Sequence, residues 1–215
     1  MLESAKYYVA YLDILGTKDK ITNREYDDYT CIDFANAAAL AAQQYSKIRV
    51  AIFSDSVICS ASQDNIDDFL NAIDFMYLNW YADGILVRGG ISYGDLRWID
   101  IPESEKPYLQ PSNCSIARVY GQALIEAINV EKSSGPGSVP FLSNEASCSL
   151  TKDYPDRILK NSTNVLIFSS INKIKQIMDR IEGINIDNKS RLAKIQLHAT
   201  NFILKCMIQN KPNGL

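Results

Sequence analysis

The chain has 215 residues, 47% of them hydrophobic and 22% charged, which suits one large or two small domains, and no linker composition splits it. A formal net charge of −3 excludes a protein whose main work is electrostatic binding of nucleic acid, since that needs a basic surface; a charged substrate must therefore arrive with metal ions. Five cysteines, Cys31, Cys59, Cys114, Cys148 and Cys206, show no CxxC or Cys/His ligand spacing and read as reduced thiols. The N-terminus enters a strand without a basic region or long apolar core, and no apolar stretch nears the roughly 18 residues of a membrane span. The expectation is a soluble, cytoplasmic protein with no membrane or nucleic-acid partner.

The first predicted strand covers about residues 7–15, with Tyr7, Val9, Tyr11 and Asp13 on one face and Tyr8, Ala10, Leu12 and Ile14 on the other. After a polar stretch, CIDFANAAALAAQQY favours helix by its alanine content. The run KIRVAIFSDSVICSA then reads as a hairpin turning at Ser54 and Asp55. Arg49, Ala51, Phe53 and Asp55 share one face there, backed by Ile48, Val50 and Ile52. If the two Asp-bearing runs are neighbours, both carboxylates converge on one patch of sheet, where hard oxygen ligands suit Mg²⁺ or Mn²⁺ bridging a nucleotide's phosphates. The competing reading has each Asp capping a turn by accepting from the next backbone amides.

Further on, DNIDDFLNAIDFMYLNWYADG places Ile66, Phe69, Leu70, Ile73, Met76, Tyr77 and Trp80 at three-four spacing with Gly84 as stop, a core-facing helix. ILVRGGISYGDL is a strand with one face reading Arg88, Gly90, Ser92, Gly94; a face so emptied marks close approach by a ligand or another backbone. Residues 98–111 read as a loop, and SIARVYGQALIEAINVEK as a helix opening near Ser115 or Gly121. PFLS and NVLIF give two short closing strands, and 171–210 is a helical tail interrupted by EGINIDN. This order of elements is α+β or α/β with a mixed sheet and no Rossmann repeat.

YLDILG, FSDSVICS, VRGGISYGDL and VYGQALIEAINVE, in this order over roughly residues 7–131, resemble the class III nucleotide cyclases, in particular the short pyrimidine cyclases of Pycsar antiphage defence systems. The resemblance implies an α+β fold with a ferredoxin-type mixed sheet, helices on one face and a helical C-terminal tail. It implies a single cyclase domain over 1–215, with 171–210 as an extension. Asp13 and Asp55, with the backbone carbonyl of Ile14, would hold two Mn²⁺ or Mg²⁺ ions. The ribose 3′-hydroxyl would attack the α-phosphate in line while pyrophosphate leaves. A homodimer with sites at its interface, and a second messenger for antiphage defence, are further implications.

Two departures stand out. Aligning through Gly121 puts Ile125 and Asn129 where purine cyclases of the class carry an Asn/Arg pair, which leaves either an inactive enzyme or another cation to meet the α-phosphate charge. Arg49 is the first candidate and Arg88 the second, with Arg118 also available and Phe53 on the same face as Arg49. Ala51 stands where a purine-selecting Lys is expected, which fits a base other than adenine: UTP as substrate, giving 3′,5′-cyclic UMP, with CTP as runner-up. Ser54 and Ser56 are read as tightening the turn. Two other classes stay open: a cyclase-fold nucleotide or partner binder without activity, and a nuclease or phosphatase, for which Asp95 is the sole extra acid near the glycine-rich strand.

Overall fold

The computed structural model describes residues 5–22, 28–100, 117–160, 163–169, 171–183 and 191–209. Its chain order is β1 (Lys6–Ile14), α1 (Thr17–Thr22), α2 (Asp28–Gln44), β2 (Arg49–Phe53), β3 (Ser56–Ser62), α3 (Ile66–Ala82), β4 (Val87–Asp95), β5 (Arg97–Trp98) and β6 (Val119–Tyr120). It continues with α4 (Gln122–Ser133), β7 (Pro140–Leu142), α5 (Asn144–Asp153), β8 (Ile158–Lys160), β9 (Asn164–Leu166), α6 (Ile171–Glu182) and α7 (Arg191–Gln209). Seven strands form one sheet in the order β2-β3-β1-β4-β7-β9-β8, and β5 pairs with β6 in a separate ribbon.

The first four sheet strands give the split βαβ arrangement of ferredoxin-type folds: β1 lies between β3 and β4, antiparallel to both, and β2 is the edge. β7 runs parallel to β4, so the sheet is mixed as expected. The alternation of β1 sorts its side chains cleanly. Tyr8, Ala10, Leu12 and Ile14 enter the larger core, with the α3 row Phe69, Leu70, Ile73, Met76, Tyr77 and Trp80. Val9 enters a smaller core on the other face, with Ala51, Ile58, Ala123 and Ala127. Helices α2, α3, α5, α6 and α7 all feed the larger core, while α4 lies across the other face.

That placement of α4 explains the emptied strand face. A Cβ on Gly90 would run into the Ala127 carbonyl and stand 2.5 Å from the Glu131 amide nitrogen, so the close neighbour is a backbone of the same chain. The helix starts at Gln122 just after Gly121, whose φ of +153° and tight fit against the Asp95 carbonyl admit no side chain. Ser115, the other expected start, and most of the 98–111 loop lie outside the described residues. The closing strands appear as β7 and β9, joined by two elements the sequence did not suggest, α5 and β8. The tail helices complete the larger core through Ile174, Ile177, Ile181, Leu197, Leu204 and Met207. No described helix is long and apolar enough to cross a membrane.

Candidate active site

Asp13 is the penultimate residue of β1, opposite Ser56 on β3 and opposite Arg88 on β4. Asp55 is not on a strand. It occupies the two-residue turn between β2 and β3, in which Ser54 adopts a φ of +49°. Positive φ is uncommon for a residue with a side chain and is held here by the flanking pairs. The strand beside β1 is thus β3 rather than β2, and it is the turn that brings Asp55 across: the Ile14 amide donates to the Asp55 carbonyl at 2.9 Å. Asp13, Ile14 and Asp55 therefore meet at one corner of the sheet.

The corner is acidic and partly dry. Burial pushes the Asp13 carboxyl above its ordinary range, and the charges of Asp55 and Glu131 push the same way; hydrogen bonds from Ser56 and Tyr11 oppose them. Ser56 Oγ donates to Asp13 Oδ1 at 2.6 Å, and the Tyr11 hydroxyl lies 2.9 Å from Ser56 Oγ and 3.4 Å from the same Oδ1. So Ser56 serves Asp13 and not merely the turn. The Ile14 carbonyl accepts from Thr17 Oγ1 at 3.2 Å, which leaves it a second lone pair.

Glu131, which sequence reasoning overlooked, is buried to 4% exposure and accepts from Arg88 Nε at 2.8 Å and Nη2 at 2.6 Å. Its signal was present in part: Ala123, Ala127 and Glu131 recur every four residues on the face of α4 that meets the sheet. Arg88 is held beside Asp13 by its strand register, with Nη1 outside the two hydrogen bonds to Glu131. Arg49 is placed differently. It lies four residues up β2 from Phe53, about 13 Å along the strand at 3.3 Å per residue, paired with Asp100 and stacked 4.8 Å over the Trp98 ring. Phe53 flanks the hairpin turn and is exposed. Arg118 precedes β6, its carbonyl accepting from the Ile99 amide, away from the Asp pair in the chain. Ile125 and Asn129 are exposed, on the side of α4 that does not meet the sheet.

Among the described residues no group of three or more His, Cys, Asp and Glu side chains clusters as a metal cage. The corner nevertheless suits a divalent cation. Two carboxylates and a carbonyl are hard oxygen donors, burial first and then the Asp55 charge raise Asp13, and Mg²⁺ is ordinarily held by one or two carboxylates with substrate phosphates completing its shell.

No protein-family model and no curated protein matches the chain. Solved structures do. The adenylyl cyclase CyaB from P. aeruginosa is 15% identical, with a TM-score of 0.53 over 78% of this chain and 96% of that one. The monomeric guanylyl cyclase domain of the RhoGC fusion protein from Blastocladiella emersonii is 13% identical, with a TM-score of 0.54 over 77% and 96%. A class III adenylyl cyclase-like ATP-binding protein from Pseudomonas aeruginosa is 9% identical, with a TM-score of 0.54 over 80% and 40%. With its mixed sheet and α4 crossover, the chain has the fold of the class III nucleotide cyclases.

Proposed function

We propose that the protein is a nucleotide cyclase converting UTP into 3′,5′-cyclic UMP and pyrophosphate, with CTP as the alternative substrate. The observation that carries this reading is the meeting of Asp13 and Asp55, through the Ile14–Asp55 hydrogen bond, at one corner of a cyclase-type sheet. Asp13, Asp55 and the Ile14 carbonyl are the groups to hold two Mn²⁺ or Mg²⁺ ions. When bound, such ions neutralise phosphate charge and lower the pKa of the ribose hydroxyl. The 3′-oxygen gives up its proton to solvent and bonds to the α-phosphorus as the bond to the pyrophosphate oxygen breaks. Arg88, registered opposite Asp13 and with Nη1 outside its two hydrogen bonds to Glu131, is the cation to meet α-phosphate charge.

The pyrimidine preference rests on the sequence resemblance and on Ala51 in place of a purine-selecting Lys. A nucleotide whose phosphates sit at the carboxylates would extend its base along β2, past Phe53 towards Arg49. The Arg49–Asp100 pair is exposed, and exposed pairs contribute at most about 1 kcal/mol, so the guanidinium is free to exchange Asp100 for a uracil carbonyl. Arg118 is the remaining cation of this set. The reading includes a homodimer, checked by sedimentation, and a role as an antiphage messenger synthase, checked by cyclic UMP levels on infection.

A second reading, a nucleotide binder without turnover, is favoured by Ile125 and Asn129 standing where the Asn/Arg pair is expected. One assay separates the two. Purified protein is incubated with each of the four nucleoside triphosphates and Mn²⁺. UTP should give the most cyclic product, CTP less, ATP and GTP little, and Asp13→Ala or Asp55→Ala should lose more than nine-tenths of turnover, since tenfold is only 1.36 kcal/mol. Equal turnover of ATP rejects the pyrimidine preference. Nucleotide binding without product establishes the second reading.

A further inference from the structure

We infer that Tyr11 and Ser56 form a hydroxyl relay whose task is to aim Asp13 at a divalent cation, making both of them positioning residues. The inference rests on the metal-binding reading of Asp13 and Asp55 and adds to it how the site is kept ready. Three distances fix the arrangement: Ser56 Oγ to Asp13 Oδ1 at 2.6 Å, Tyr11 hydroxyl to Ser56 Oγ at 2.9 Å, and Tyr11 hydroxyl to Asp13 Oδ1 at 3.4 Å.

The proton count allows one direction. A serine hydroxyl has a single hydrogen, and at 2.6 Å it is spent on the carboxylate, which has none to give when ionised. Ser56 Oγ can then only accept at its other contact, so the Tyr11 hydroxyl is the donor there. The relay runs Tyr11 to Ser56 to Asp13, each donor strengthening the next. It ends on Oδ1, and no described residue donates to Oδ2.

The three residues come from facing positions of one ladder. Asp13 is registered with Ser56, and Tyr11, two residues back on the same face of β1, is registered with Ile58, so the relay is built from rigid strands rather than loops. Holding one oxygen fixes the plane of the carboxylate about its terminal torsion, which is otherwise broad. The free oxygen is then presented in a set direction. A carboxylate so held has its rotational freedom removed before the ion arrives. Neither hydroxyl is needed to close the turn, whose backbone is fixed by the Phe53–Ser56 pair and by the Ile14–Asp55 hydrogen bond.

The test titrates nucleotide-free protein with Mn²⁺ alone, following free ion by electron paramagnetic resonance, with the thermal midpoint of each metal-free variant as control. Ser56→Ala should weaken Mn²⁺ binding about tenfold, the lower end for lost partners of a metal ligand. Tyr11→Phe should weaken it by less, and should still weaken it measurably in the Ser56→Ala background, where the direct 3.4 Å contact of the Tyr11 hydroxyl with Asp13 Oδ1 remains. Ser56→Thr, which restores the hydroxyl, should return affinity to within about twofold of wild type. If Asp13→Ala loses Mn²⁺ while Ser56→Ala binds within twofold of wild type, the relay is overturned and the metal reading stands. If Asp13→Ala binds as wild type does, or wild type binds no Mn²⁺, both fall.

Discussion

At the scale of single residues, Asp13 carries a cost in the absence of a cation. Its folded-state pKa is raised, first by burial and then by Asp55 and Glu131, so the folded protein holds this proton more tightly than the unfolded chain. Stability is unaffected below the ordinary carboxyl value of about 3.9 and falls as pH rises through the raised folded value, so at neutral pH the whole penalty is present. Asp13→Asn removes the charge while keeping an acceptor for Ser56. The metal-free variant should therefore melt higher than wild type at pH 7, with the difference vanishing below about pH 4; calorimetry showing a lower midpoint at pH 7 would contradict the electrostatic account. The meeting of Asp13 and Asp55 at one corner of the sheet could be anticipated from the sequence because each ends an apolar run whose period is visible locally. Glu131 was not, since what keeps it buried is Arg88, 43 positions away in the chain. Nor did the spacing disclose that Ser56 reaches across to β1, a distance of 43 positions as well.

Among the elements, β1, the hairpin, α3 and β4 could be read because each is long enough to show its period. β8 has three residues and α5 reads Asn-Glu-Ala-Ser-Cys-Ser-Leu-Thr-Lys-Asp, so neither offers one. The glycine-rich face of β4 was recognised as a place of close approach, and the structure assigns the approach to α4. Gly90→Ala tests that packing. The added methyl meets backbone rather than a yielding side chain, so α4 must lift from the sheet. Overpacking of this kind costs about 1–3 kcal/mol, occasionally more, and because Glu131 rides on the same helix, Arg88 would be displaced beside Asp13. Urea denaturation should report a loss of at least about 2 kcal/mol, together with weaker nucleotide turnover. A variant of wild-type stability would show that α4 does not rest on β4 as described.

For the molecule as a whole, the larger core runs from β1 to α7, and one buried acid ties its distant parts together. Asp74, wholly buried within α3, accepts from Arg157 Nη2 at 2.9 Å and from the Ser169 amide at 2.8 Å, and Lys173 Nζ approaches to 4.0 Å. An acid inside an otherwise apolar row looks like an interruption in the sequence; its partners lie 83 and 95 positions later. Asp74→Ala leaves the largely buried Arg157 without its carboxylate, which should cost about 3–5 kcal/mol and lower the thermal midpoint by about 10 °C. A drop of under about 2 °C by calorimetry would mean that the chain around β8 and α6 is held by other contacts. The central position of β1 has a further consequence, one of timing. Asp13 and Asp55 have both been added to the chain by residue 55, yet α4 begins 67 positions later. At 5–20 residues per second this interval is several seconds. Until then the Asp13 corner, and the Gly90 face once β4 has been made, stand without their covering helix, so an arrested or truncated product holds both carboxylates and lacks α4.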